Sequence, residues 1–343
     1  MHRKEKTMYY ALIFVSVFMF GGTFALKDVY RSRVGSGLKV SIQFSLMTAI
    51  PGLIALFLIN GFKFEFTWFT FIMALIHSLS GFAMTFCGFR ALERINLSLY
   101  SLFMMLGGMV LPYFQGIMFY DESITGAKII CFILVCAALA LTIDYKNVLP
   151  ESALARFDKI KSSLLGGSKE NGIDAASEEN SVIDNSTDSV ETAAKPKRRG
   201  GFIYYFVIFV LNGMSGVMSK YFTEAPFEKT SAAGYSILSA ITSISIALIL
   251  MLFLMNKGPK IKHTPLTISI AASNGILNRI ANYILVITLA NGVESSIQYS
   301  IVTGGVIAVS TAVAFLKPNK PKILEVVSAI IACLGIAALL LPF

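Results

Sequence analysis

Residues 266–289 read LTISIAASNGILNRIANYILVITL. The run has the length a helix needs to cross a bilayer core, roughly 20 mostly apolar residues. It has no two-residue alternation, so it is not the strand of a barrel. Inside lipid every backbone N–H and C=O must find its partner within the segment, and a helix is the form that does this. The same run carries four strongly polar side chains. Asn274, Asn278 and Asn282 recur every four residues and so share one helical face. Arg279 sits beside that face, about midway along. A guanidinium there costs roughly 2.5–3.5 kcal/mol on insertion scales, so it must meet a wet cavity or a partner.

Outward from this segment the pattern repeats. Ten apolar windows qualify as spans: 8–26, 38–59, 66–89, 97–119, 124–143, 202–219, 232–255, 266–289, 295–316 and 322–342. The chain of 343 residues is 55% hydrophobic and only 14% charged, with a mean hydropathy of +0.70. An ordinary soluble domain is roughly 25% charged. This composition excludes a soluble enzyme, a nucleic-acid binder and a secreted domain, despite a net charge of +9. The first window follows Arg3, Lys4 and Lys6 and lacks a small-residue cleavage site, so it reads as a span and not as a signal peptide. Four cysteines in apolar stretches, none in a CxxC spacing, and three scattered histidines call for no disulfide framework, metal or cofactor.

Residues 144–200 interrupt the apolar pattern. They are rich in Ser, Asn, Glu, Asp and Lys and end in Lys195-Pro-Lys-Arg-Arg199, which reads as a disordered linker. It divides the chain into 1–143 and 201–343, five windows each. A shift of 197 residues aligns the halves over the third to fifth windows. Gly107-Gly108 then fall on Gly304-Gly305, and Cys136 on Cys333. Five is odd, so the second half enters the membrane the other way up. The expected fold is an all-α integral membrane protein of ten transmembrane helices, built as two inverted five-helix repeats. Most of the 29 Lys and Arg residues lie in the linker and in the loops on its side. By the positive-inside rule this predicts a multi-pass plasma-membrane protein with a cytoplasmic linker and both termini outside.

Residues 91–142 resemble the ten-helix EamA-like branch of the drug/metabolite transporter superfamily. Ala91-Leu92, Pro112 within the fourth window, Glu122 in the following turn and Gly126 occupy the places that branch typically fills. In the second half Val309 stands in place of the proline, and Lys317-Pro318-Asn319 replaces the acidic turn. The resemblance implies a cavity lined by helices one, three, four, six, eight and nine. It also implies cytoplasmic termini, the reverse of the charge bias.

The candidate substrate-binding residues are Arg279, Asn274, Asn278, Asn282, His77, Gln298, Tyr100 and Asn212. A guanidinium fork suits a carboxylate or phosphate. A salt bridge, with Glu294 the nearest candidate in sequence, is its structural alternative. His77 is the one histidine in a span. For it and for the amides, interhelical hydrogen bonding is the competing role. No Asp or Glu falls in the middle of a window, which argues against cation–proton exchange through a membrane carboxylate. The expected function is a secondary transporter that moves a small polar or anionic metabolite, amino acids or derivatives first, by alternating access. The alternative is a multidrug exporter of lipophilic compounds. An enzyme is not expected, because no acid, base or metal cluster exists. The partners implied are a small-molecule substrate and the lipid bilayer, with no nucleic acid; a homodimer is the protein association left open.

Overall fold

A computed structural model describes residues 3–35, 37–92, 97–141, 201–254, 261, 263–315 and 323–340. Side chains are described for all of these except 3–6, 89–92, 97–102, 201–205, 254, 314, 325 and 340. The linker 144–200, with its basic end, lies outside the described residues.

Among the described residues ten helices form one compact unit. They are α1 (Arg3–Val34), α2 (Leu38–Ile59), α3 (Trp68–Leu92), α4 (Leu97–Phe119), α5 (Gly126–Leu141), α6 (Gly201–Glu224), α7 (Ala232–Leu254), α8 (Pro265–Ala290), α9 (Ser295–Phe315) and α10 (Ile323–Leu340). There is no strand among the described residues. Among the described residues six helices, namely α1, α2, α3, α7, α8 and α9, are long and apolar enough to cross a membrane. The apolar stretches Phe103–Phe119, Gly126–Leu141 and Val326–Leu339 are shorter.

Hydropathy is inverted relative to a soluble fold. Phe18, Leu58, Trp68 and Leu252 are exposed, whereas Ser16, Ser41, Thr288 and Ser328 are buried. Each buried hydroxyl is bonded to a helix carbonyl: Ser16 to Ile13, Ser41 to Gly37, Thr288 to Ile284, and Ser328 across to Ala138 of α5. A lipid-facing surface demands this arrangement, because polar groups there have no water to turn to.

The principal contacts come in matched sets. α1 packs on α8 and α6 on α3; α2 packs on α8 and α7 on α3; α1 packs on α9 and α6 on α4. The pairs α2–α7, α4–α9 and α5–α10 are also principal contacts, and so is α9–α10. Replacing every helix by the one five places along maps these pairs onto one another, except α9–α10, whose counterpart α4–α5 touches only lightly. Close approaches depend on small residues. A Cβ on Gly107 would stand 2.0 Å from the Phe209 carbonyl oxygen, and one on Gly275 2.0 Å from that of Thr48.

The helix ends fall into two groups. On one side the α2–α3 and α6–α7 connections meet: the Ser231 amide donates to Glu65 over 2.6 Å, and the Thr230 amide to Thr70 over 3.1 Å. The α4–α5 turn reaches the start of α9 on the same plan. Glu122 accepts from the amides and hydroxyls of both Ser295 and Ser296, at 2.6–2.9 Å. A carboxylate thus caps the positive end of a helix from the other half of the chain. Glu122 reads from sequence as a helix-start residue of its own segment; the structure gives that capping to α9. Burial pushes its carboxyl up, but the four hydrogen bonds together outweigh that and hold it below the ordinary carboxylate value. Lys220 of α6 and the Lys128–Glu294 ion pair lie in the same seam. Glu294 therefore pairs with Lys128 and not with Arg279. At the opposite ends, His263 before α8 meets Gln43 of α2 at 2.7 Å and stacks on Tyr30 of α1.

Candidate functional site

A cavity of about 320 Å³ opens among α1, α2, α3, α4, α6, α7, α8 and α9. Arg279, Asn274, Asn278, Asn282, His77 and Asn212 all line it. α2 and α7 join the six helices that the resemblance implies. Gln298 does not line it. That side chain is fully buried between α9 and α8, accepting from Thr288 over 2.5 Å and donating to the Leu285 carbonyl over 3.2 Å. The Tyr100 side chain lies outside the described residues.

Arg279 is held rather than paired. Its stem packs over Gly52 of α2, where a Cβ would meet its Cγ at 2.5 Å. Its fork donates to two hydroxyls of α7, Ser239 over 3.2 Å and Ser243 over 2.7 Å. Ser78 of α3 braces that pair: it donates to the Ser239 carbonyl over 2.7 Å and accepts from Ser243 over 3.0 Å. No carboxylate lies within ion-pair reach of Arg279 among the described residues. A guanidinium has five N–H donors, so capacity remains for an anion.

The amides fix the frame around it. Asn274 donates to the Thr23 carbonyl of α1 over 2.7 Å, and Asn212 to the Met104 carbonyl of α4 over 2.6 Å. Asn282 donates to the Asn278 carbonyl over 2.7 Å. His77 keeps its Nδ1 buried with no hydrogen-bond partner. The nearby Ser80 hydroxyl donates to the Leu211 carbonyl over 3.1 Å.

Two groups that sequence reasoning missed belong to the site. Lys27 lines the cavity because α1 continues past the apolar run, to Val34. The hydroxyls of α7 form the second group. Ser236, Ser239 and Ser243 are spaced three and four apart, a helical stripe that the sequence does display. No Asp or Glu is among the described lining residues, and Arg279 gives the cavity its positive wall. Phe20, Phe24, Phe44, Met104 and Met105 supply apolar walls.

No family model matches the sequence, and neither does any curated protein. Among solved structures 28 chains are similar. One of them, described as "Crystal structure of protein", superposes with a TM-score of 0.64 at 15% identity, over 97% of this chain and 96% of its own. At that identity the likeness is one of fold, and it extends over nearly the whole of both chains.

Proposed function

We propose that the chain is a secondary transporter of the drug/metabolite type. It would move a small anionic metabolite by alternating access between two inverted five-helix halves. Amino acids and related carboxylates are the first compounds to test. The observation that carries this reading is Arg279: a guanidinium in the midst of apolar helices, fixed by two serines, facing a cavity and with no carboxylate partner among the described residues. Such a charge is costly inside a bilayer unless an anion or water meets it. The exchange of contacts between helices five places apart supports the two-half plan, as does the meeting of the α2–α3 and α6–α7 ends. The cavity lies within the size range of small-molecule sites.

The test is uptake into vesicles reconstituted with the full chain, using a panel of labelled carboxylates. Arg279→Ala abolishes uptake while the purified protein keeps its monodisperse profile. Unchanged uptake in that variant removes Arg279 from the site. The Phe and Met walls favour a second reading, an exporter of lipophilic compounds. That reading predicts resistance on expression and indifference to Arg279→Ala.

A further inference from the structure

A second, much smaller space adjoins the cavity on the far side of Arg279. It holds about 10 Å³, room for one water-sized group. His77, Arg279 and Asn282 line both spaces, and Ser219, Tyr235, Ser236, Ser239 and Val286 close the small one. Two buried polar atoms beside it have no hydrogen-bond partner, His77 Nδ1 and the Tyr235 hydroxyl. Tyr235 is only 2% exposed, and Ser219 is among the groups that act on its hydroxyl. Orphaned polar atoms that converge on one space mark a place where a polar group belongs.

The hydroxyls around it decide which kind. Ser219 donates its hydrogen to the Ser215 carbonyl over 3.0 Å, and Ser236 to that of Ala232 over 2.9 Å. Ser239 accepts from Arg279. With their hydrogens committed to helix carbonyls, the Ser219 and Ser236 oxygens have only lone pairs to offer the chamber. With its proton on Nε2, the His77 ring adds another acceptor. A group that enters must donate. It must also be neutral, because the Arg279 guanidinium forms part of the wall, and two like charges at about 4 Å repel by roughly 4 kcal/mol at an effective dielectric of 20.

From this juxtaposition we infer that the chamber is a hydroxyl subsite and that the preferred ligand is a 2-hydroxy carboxylate with an apolar body. Its carboxylate lies on Arg279. The hydroxyl on the adjacent carbon enters the chamber and donates to the serine oxygens or His77. It accepts in turn from Tyr235. The apolar body lies against Phe20, Phe24 and Phe44. This assignment rests on the proposed transport function and narrows its substrate class.

The test compares three probes of one shape, 3-phenyllactate, 3-phenylpropanoate and phenylalanine, by calorimetric titration of the purified full chain. The expected result is 3-phenyllactate tightest, by roughly tenfold over 3-phenylpropanoate, the order expected when otherwise unsatisfied buried groups are paired. Tyr235→Phe erases that preference and leaves 3-phenylpropanoate binding as it was. Should Tyr235→Phe fail to fold, His77→Leu, which removes an acceptor from the chamber, reads a loss of the same preference. Carboxylates that bind through Arg279 with no hydroxyl preference overturn the subsite alone. Phenylalanine binding tightest overturns the neutral-donor argument. No binding by any of the three overturns the subsite; if vesicle uptake across the carboxylate panel is also absent, the transport reading falls with it.

Discussion

The Lys220 ammonium stands 3.1 Å from a Glu122 oxygen that already accepts two hydrogen bonds from Ser295. Both side chains are buried. Lys220 also reaches Glu224 at 3.1 Å and lies over the Tyr120 ring. The first half of the chain supplies Glu122, and the second supplies Lys220, Ser295 and Ser296. Glu122→Gln removes one partner of a buried pair and weakens the cap on α9. The expected destabilisation is roughly 3–5 kcal/mol, read as a lowered unfolding midpoint in detergent. An unchanged midpoint means that the seam contributes nothing.

The same carboxylate sets an acid limit. Its folded value lies below the ordinary 4.5. Its stabilisation is therefore fully present above that value and disappears as the pH falls through the lower folded one. The unfolding midpoint should fall in that acid range, and the fall should be smaller in Glu122→Gln. Equal acid sensitivity in the two proteins assigns the limit to other groups.

Glycines separate packing from access. A Cβ at Gly275 collides with the Thr48 backbone, whereas one at Gly81 meets nothing within 4 Å and faces the cavity. Gly275→Ala should cost about 1–3 kcal/mol, as overpacking does. Gly81→Leu should leave the unfolding midpoint in place and block uptake by filling the cavity. If both variants transport normally, the cavity is not the path.

Gln298 makes the opposite case. Its bonds to Thr288 and Leu285 tie α9 to α8 away from the cavity. Gln298→Met should lower stability by about 1–3 kcal/mol and leave the affinity of any bound carboxylate unchanged. A large loss of affinity at full stability would return it to the binding site.

The helices were legible because each apolar run is long and bounded by loop residues. Arg279 and the asparagine stripe stood out because such groups are expensive in lipid. Gln298 stood out for the same reason, yet its cost is met by Thr288, one helix away in the fold and not visible as a pair in the chain. Lys27 was hidden because the apolar run stops at Leu26, while the helix continues two turns into a polar stretch. The α7 hydroxyls were hidden because serine bonds readily to its own helix, as Ser236 and Ser243 do, and so leaves little mark on hydropathy.

The missing carboxylate around Arg279 has an electrical consequence. An unloaded cavity carries uncompensated positive charge, and a bound monoanion cancels part of it. In the proposed transport cycle the loaded and empty forms would differ in the charge they move across the membrane field, at about 2.3 kcal/mol per charge for each 100 mV. Voltage would draw the empty site toward the negative side of the membrane and act less on the loaded one. A turnover cycle of the proposed kind would generate current, with its voltage-sensitive step in the return of the empty carrier.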